Sequence, residues 1–299
     1  MTNTKPTTGD WLRQHLPKLV LSPSFAMTLF FVYGFIIYTA YISMTKSRML
    51  PKLDNFVGLE NYSRLWKTLN WQTALDNLLI FGTLYMLICG VLGLFLAILL
   101  DQKIRAEGFL RTTYLYPMAL SFIVTGTAWK WFLNPGLGLE KSMHDWGWES
   151  FSFDWLINSE MAIYTIVIAA VWQSSGFVMA MFLAGLRGID SEQLKAAQLD
   201  GASTFQTYRR IIIPQLGAVF LSAFVVLAHM AIKSYDLVIA LTGGGPGKAT
   251  ELPATFMYSY TFTRNQMGIG AASAIIMLMT IAAIIVPYLY AETRSKRHD

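Results

Sequence analysis

The side chains with the most chemical capacity in this chain sit in apolar surroundings. His229, Lys233 and Asp236 are spaced i, i+4 and i+7, which predicts one shared helix face. They offer a titratable ring, a cation and a carboxylate. Trp172-Gln173-Ser174-Ser175-Gly176 forms a second polar patch inside a charge-free stretch. Ionisable groups in such segments are costly and face a cavity or each other. Two readings of the stripe stand. Either Lys233 and Asp236 neutralise one another, with Lys233 snorkelling outward, or the stripe lines a path for a polar solute. Tyr235 is adjacent in sequence but predicted to point elsewhere on the helix. Gln173 either meets the solute or hydrogen-bonds a neighbouring helix. Trp172 belongs to the same candidate path.

Catalytic sets are absent. The four histidines (His15, His144, His229, His298) have no metal-ligand spacing, Cys89 is the single cysteine, and no triad or paired carboxylates occur. Gly243-Gly244-Gly245-Pro246-Gly247-Lys248-Ala249-Thr250 is a near miss to a phosphate-binding loop. That loop needs Gly, four residues, then Gly-Lys-Ser/Thr. Here Thr242 stands at the first Gly and Ala249 follows the Lys, so the segment reads as a turn. The chain is expected to be no enzyme and to hold no metal, cofactor or ATP of its own.

The elements that position these residues follow from where charge is missing. Of 299 residues, 14% are charged and 54% hydrophobic, against roughly 25% charged in a soluble domain. Mean hydropathy is +0.44. Six long stretches contain no Asp, Glu, Lys or Arg: Leu19 to Thr45, Asn77 to Leu100, Thr112 to Trp129, Met161 to Leu186, Ile211 to Ile232 and Asn265 to Ala291. About 20 apolar residues in a helix cross a bilayer, and helices satisfy their own backbone there. The pattern predicts an all-α polytopic membrane protein with six transmembrane helices, at about 24–44, 77–100, 112–133, 161–185, 212–235 and 267–290. Residues 1–18 form an N-terminal segment, 19–291 the transmembrane domain and 292–299 a C-terminal tail. The first span reads as an uncleaved anchor, too long for a signal-peptide core.

With both termini inside, cytoplasmic segments hold 13 Lys and Arg and outer loops 8, which favours that orientation. The loop from Asn134 to Glu160 carries one Lys against five carboxylates, with Trp146, Trp148 and Trp155 suited to a membrane interface. Net charge is +5. Its basic residues flank spans, so it predicts attraction to anionic membrane lipid rather than to nucleic acid.

Residues 187–210 form an unusually polar loop. Asp190 or Ser191 caps a helix running to about Leu199, Gly201 offers a left-handed stop, Ser203 caps a second short helix, and Pro214 marks its end. Leu194, Ala197 and Leu199 are expected to supply apolar contacts on the first helix, and Phe205, Tyr208 and Ile212 on the second.

Lys195-Ala196-Ala197, three residues, Gly201, nine residues, then Ile211-x-Ile213-Pro214 resembles the "EAA" loop of binding-protein-dependent ABC importer permeases. Asp200-Gly201-Ala202 matches its sugar branch. Lys195 replaces the family's Glu, and Ile213 its Leu. Phe56-Val57-Gly58-Leu59-Glu60-Asn61-Tyr62 is similar to an outer-loop segment of MalF-type sugar permeases, as are Asp236-Leu237-Val238 and Leu241 to Gly247. Ile232 to Leu237 and Leu252-Pro253-Ala254 look most like glucose/mannose-type importers.

The resemblance implies a permease subunit in a cell inner membrane, translocating sugar from a periplasmic sugar-binding protein. It implies a second related permease subunit and two ATP-binding subunits, which supply the ATP. Lys195, Ala196, Ala197, Asp200, Gly201, Ala202, Ile211 and Pro214 would couple to them through the cytoplasmic helix pair. The competing class is a stand-alone secondary transporter or channel. Glycerol phosphate or another polar solute is the substrate alternative.

Overall fold

A computed structural model describes residues 8–102 and 104–295. The outer tips of the two terminal segments, 1–7 and 296–299, lie outside the described residues. The described chain is all-α, and its β pairing is one isolated bridge between Thr45 and Phe56. In chain order the helices are α1 (Leu16–Ser43), α2 (Glu60–Lys67), α3 (Leu69–Asp101), α4 (Glu107–Leu115), α5 (Phe122–Phe132), α6 (Leu139–Asp145), α7 (Ala162–Arg187), α8 (Ser191–Leu199), α9 (Thr204–Gln215), α10 (Gly217–Ile232), α11 (Asp236–Leu241), α12 (Pro253–Tyr258) and α13 (Met267–Ser295).

Helices α1, α3, α7 and α13 are each long and apolar enough to cross a bilayer. The pair α9 and α10, bent by 62°, makes a fifth candidate span. α7 is the centre: 72% of its most apolar window is buried, against none of α1's. Small residues bring the helices together. A Cβ on Gly93 would lie 2.6 Å from Val178 Cγ1, so the bare backbone lets α3 lie directly on α7. Gly268 does the same for α13, where a Cβ would stand 2.6 Å from the Thr45 carbonyl oxygen at the end of α1.

The third predicted span, 112–133, is not one helix. α4 ends at Leu115, a 3₁₀ turn covers Tyr116–Ala119, Leu120 is extended, and α5 starts at Phe122. Pro117 removes one backbone donor. Ser121 then restarts the helix, its side chain accepting from the Val124 N–H at 3.3 Å. The predicted 212–235 span also differs. Its helix ends at Ile232, with Lys233 as C-cap, and a new helix opens at Asp236. A carboxylate is favoured in a first helical turn, which suits Asp236 to start α11 rather than to continue α10. Pro214 stands one residue before the end of α9, at the 62° bend into α10. A π-turn at Tyr208–Ile212 precedes it.

The outer-loop segment has a structural logic. Asn61 is buried and its Nδ2 donates to the carbonyls of Ser43 at 2.9 Å and Thr45 at 2.7 Å. It thereby satisfies orphan acceptors at the end of α1. Gly243, Gly244 and Gly247 all have positive φ, so the glycine-rich segment is a turn, as predicted. Asn77 of α3 pins that turn by donating to the carbonyls of Lys248 at 3.2 Å and Glu251 at 3.0 Å.

Candidate functional site

A cavity of about 250 Å³ opens where α10 breaks into α11. Phe81 and Tyr85 of α3 form one wall; Lys233, Ser234, Tyr235 and Asp236 form the other. The α3 wall is rigid. Phe81 and Tyr85 stack with ring centroids 5.4 Å apart, and the Tyr85 hydroxyl donates to Ser174 Oγ of α7 at 2.7 Å. The opposite wall is polar and accessible. Lys233 and Asp236 are both exposed, and none of the four ion pairs among the described residues joins them. Self-neutralisation of that pair is therefore absent. The helix break keeps a free cation and a free carboxylate on one cavity wall, beside tyrosine and phenylalanine faces.

The other candidates are placed differently. His229 lies one turn earlier on α10, outside the cavity lining, with Nδ1 buried and without a hydrogen-bond partner. Gln173 is 1% exposed and its Nε2 donates to the Leu120 carbonyl at 2.9 Å. That bond satisfies an acceptor freed by the break between α4 and α5, so the amide braces one helix against another. Trp172 packs edge-on against Trp129, centroids 5.9 Å apart, and faces a separate groove with Tyr114 and Pro117. Sequence reasoning missed Phe81 and Tyr85 and turned Tyr235 away. The i, i+4 aromatic pair with one hydroxyl, inside a charge-free window, was the available signal for the first two. Tyr235 faces the cavity because the helix it was projected onto ends before it.

The 187–210 loop forms a compact knob at the opposite end of the bundle from the glycine-rich turn. Asp190 Oδ1 accepts from the Glu192 N–H at 2.8 Å and starts α8. Gly201, at φ +76°, closes it. The Gly201 N–H donates to the Gln198 carbonyl at 3.1 Å and the Ala202 N–H to Ala197 at 3.0 Å. These are the two bonds of a Schellman stop, which needs a left-handed residue. Asp200 is the C-cap. Ser203 and Gln206 then form a capping box for α9.

Of the expected apolar contacts, Ala197 and Ile212 are buried and Leu194 and Tyr208 partly so, but Leu199 is 89% and Phe205 72% exposed. Both side chains project from the knob because the tight Gly201 turn leaves no protein surface above them. Lys195 and Ala196 are exposed, Ile211 is half-buried, and Pro214 is exposed. Several polar bonds hold the knob to the bundle. Gln215 Nε2 donates to Gln193 Oε1 at 2.8 Å, and Gln102 Nε2 reaches the Tyr208 hydroxyl at 3.4 Å. Arg187 joins Glu107 at 2.7 Å and Asp101 at 3.9 Å, linking the ends of α7, α4 and α3 at the base of the knob.

Residues 90–295, which include the polar cavity wall of Lys233 to Asp236 and the whole knob but not Phe81 and Tyr85, match the binding-protein-dependent transport system inner membrane component family. The chain belongs to that family. This permease is 42% identical to a probable ABC transporter permease protein of Pyrococcus horikoshii, over 91% of its own length and 94% of the relative's. It is 39% identical to the xylose/arabinose import permease protein XacH of Haloferax volcanii, covering 87% and 82%. Its fold is that of a chain in the crystal structure of a bacterial alginate ABC transporter in complex with an alginate pentasaccharide-bound periplasmic protein. The TM-score is 0.81, with 98% of each chain covered and 19% identity. The permease is thus a non-catalytic membrane subunit of an ABC transporter.

Proposed function

We propose that this chain is a permease subunit of an ATP-driven sugar importer, coupled to its ATPase through the 187–210 knob. The observation that carries the reading is the knob itself. It is a rigid helix pair, tied at its base to three helices, with Leu199 and Phe205 held out for a partner. ATP binds to two separate subunits, one of which grips the knob. A periplasmic binding protein delivers sugar at the other end, and a second related permease completes the pathway. The basic bias supports placing the knob and both termini on the cytoplasmic side. For transport, ATP must bind the outward-facing state more tightly than the inward-facing one, because a ligand of equal affinity shifts nothing.

The pentose import named for the 39% identical relative favours a monosaccharide as substrate. Lys233 supplies a donor, Asp236 an acceptor and Phe81, Tyr85 and Tyr235 apolar faces, the combination a sugar ring requires. Reconstitution of the complete transporter tests both parts. Sugar uptake should require ATP and the ATPase subunits; uptake by the permease alone would establish a secondary transporter instead. Lys233→Ala and Asp236→Ala should each lower uptake roughly tenfold, the loss of one charged hydrogen bond, with unchanged yield of assembled complex. Normal uptake by both variants would remove the cavity from the sugar path.

A further inference from the structure

A second cleft, of about 440 Å³, lies at the end of the bundle opposite the knob, between α2 and the junctions that follow α1 and precede α13. Lys46, Arg48, Arg64 and Arg264 line it, and no carboxylate does among the described residues. Arg64 is paired to Glu60, one turn back on α2. Arg264 is aimed by Tyr260: Nη1 donates to the phenol oxygen at 3.1 Å, and the guanidinium lies 4.7 Å from the ring centroid. Lys46 and Arg48 are exposed, and neither side chain makes an ion pair or hydrogen bond. The floor is nonetheless built. The Gly268 N–H donates to the Ser47 carbonyl at 3.0 Å, Asn61 bridges to Ser43 and Thr45, and Asn265 is held at φ +53°. Asn265 is the one non-glycine residue with positive φ among those described.

Glu60 offsets Arg64, but Lys46, Arg48 and Arg264 have no carboxylate partner among the described residues and repel one another unless an anion sits among them. The surroundings say which kind. The cleft lies just past the end of α1, whose most apolar window has no buried residue among the described residues. Met49 lines the cleft, and Leu50 and Leu53 follow it on the same loop; all three are exposed apolar side chains. A ligand that is anionic at one end and apolar along the rest matches both surfaces. We propose that this cleft binds the phosphate of an anionic phospholipid, with its acyl chains along α1 and α13. The site lies at the leaflet opposite the knob, and it neither depends on nor alters the sugar path.

Native mass spectrometry of the purified full chain, titrated with phosphatidylglycerol or with phosphatidylcholine of the same acyl chains, tests this. The wild type should retain phosphatidylglycerol in preference. Lys46→Gln combined with Arg48→Gln removes two unpartnered surface cations, so the fold is spared. This variant should weaken phosphatidylglycerol retention by roughly tenfold or more, leaving phosphatidylcholine unchanged. Arg209→Gln with Arg210→Gln, at the knob end, is the charge-matched control and should change little. Equal loss in the control, equal retention of the two lipids, or no change in the Lys46/Arg48 variant would overturn the proposal. Displacement by millimolar inorganic phosphate would overturn it too, by showing a site for a free anion.

Discussion

Replacing Gly201 with Val is expected to abolish sugar-stimulated ATP hydrolysis in the assembled transporter, while the yield of folded permease stays near wild type. Gly201 sits at φ +76°, where a β-branched residue is an outlier. A left-handed conformation costs an ordinary L-residue roughly 1–2 kcal/mol, and a branched one more. A Cβ there would meet nothing within 4 Å, so the damage is conformational and stays in the turn. The chain escapes by giving up the Gly201–Gln198 and Ala202–Ala197 bonds, which lets α8 and α9 pivot. A pivoting knob cannot transmit a displacement to α7 and α10. Gly201→Ala should show a milder defect of the same kind. ATPase assays with binding protein and sugar, alongside gel filtration of the complex, check both. Wild-type stimulation in the Val variant would dissociate the knob from coupling.

Gly176→Ala is expected to fail at an earlier stage, in folding. A Cβ on Gly176 would stand 1.8 Å from the Tyr114 carbonyl oxygen and 2.5 Å from its carbon. These are main-chain atoms, so no rotamer change relieves the clash; α4 must move away from α7. Overpacking costs about 1–3 kcal/mol when side chains can adjust, and here the backbone has to shift, so the upper end or beyond is expected. The separation would also draw Gln173, one turn earlier, away from the Leu120 carbonyl it bonds at 2.9 Å. Gly185→Ala is the comparison, since its Cβ would meet side-chain atoms, Val219 Cγ2 at 2.8 Å and Leu216 Cδ2 at 2.9 Å. Thermal unfolding in detergent should place Gly176→Ala several degrees below Gly185→Ala. The reverse order would mean that the α4–α7 contact is looser than the structure has it.

The two predictions divide along what could be read from the chain alone. Both limits of α8 follow from Asp190 and Gly201, because a cap and a left-handed stop are local events that need only neighbouring backbone groups. Gly176 was legible only as part of a polar patch, since its closeness to Tyr114 joins segments far apart in sequence. Pro117 was visible within the third apolar window, yet membrane helices tolerate proline when neighbours satisfy the freed groups. Whether that window stays straight depended on Gln173, supplied by α7, and on Ser121 restarting the helix. For the same reason Leu199 and Phe205 had the right residue type for inward contacts but were left facing outward by the turn between them.

Sequence by itself determined the class of protein and the position of its apolar windows, because the cost of a charge in hydrocarbon depends on residue type and not on partners. It also determined the conformation of the knob's central turn, which rests on one glycine's freedom at positive φ. Tertiary structure alone decided what the polar residues do. Lys233 and Asp236 remain apart across a helix break, Tyr235 turns into the cavity with them, and Tyr85 is fixed by Ser174, 89 residues away. Such pairings are set by how the helices pack around α7, and no local pattern encodes them.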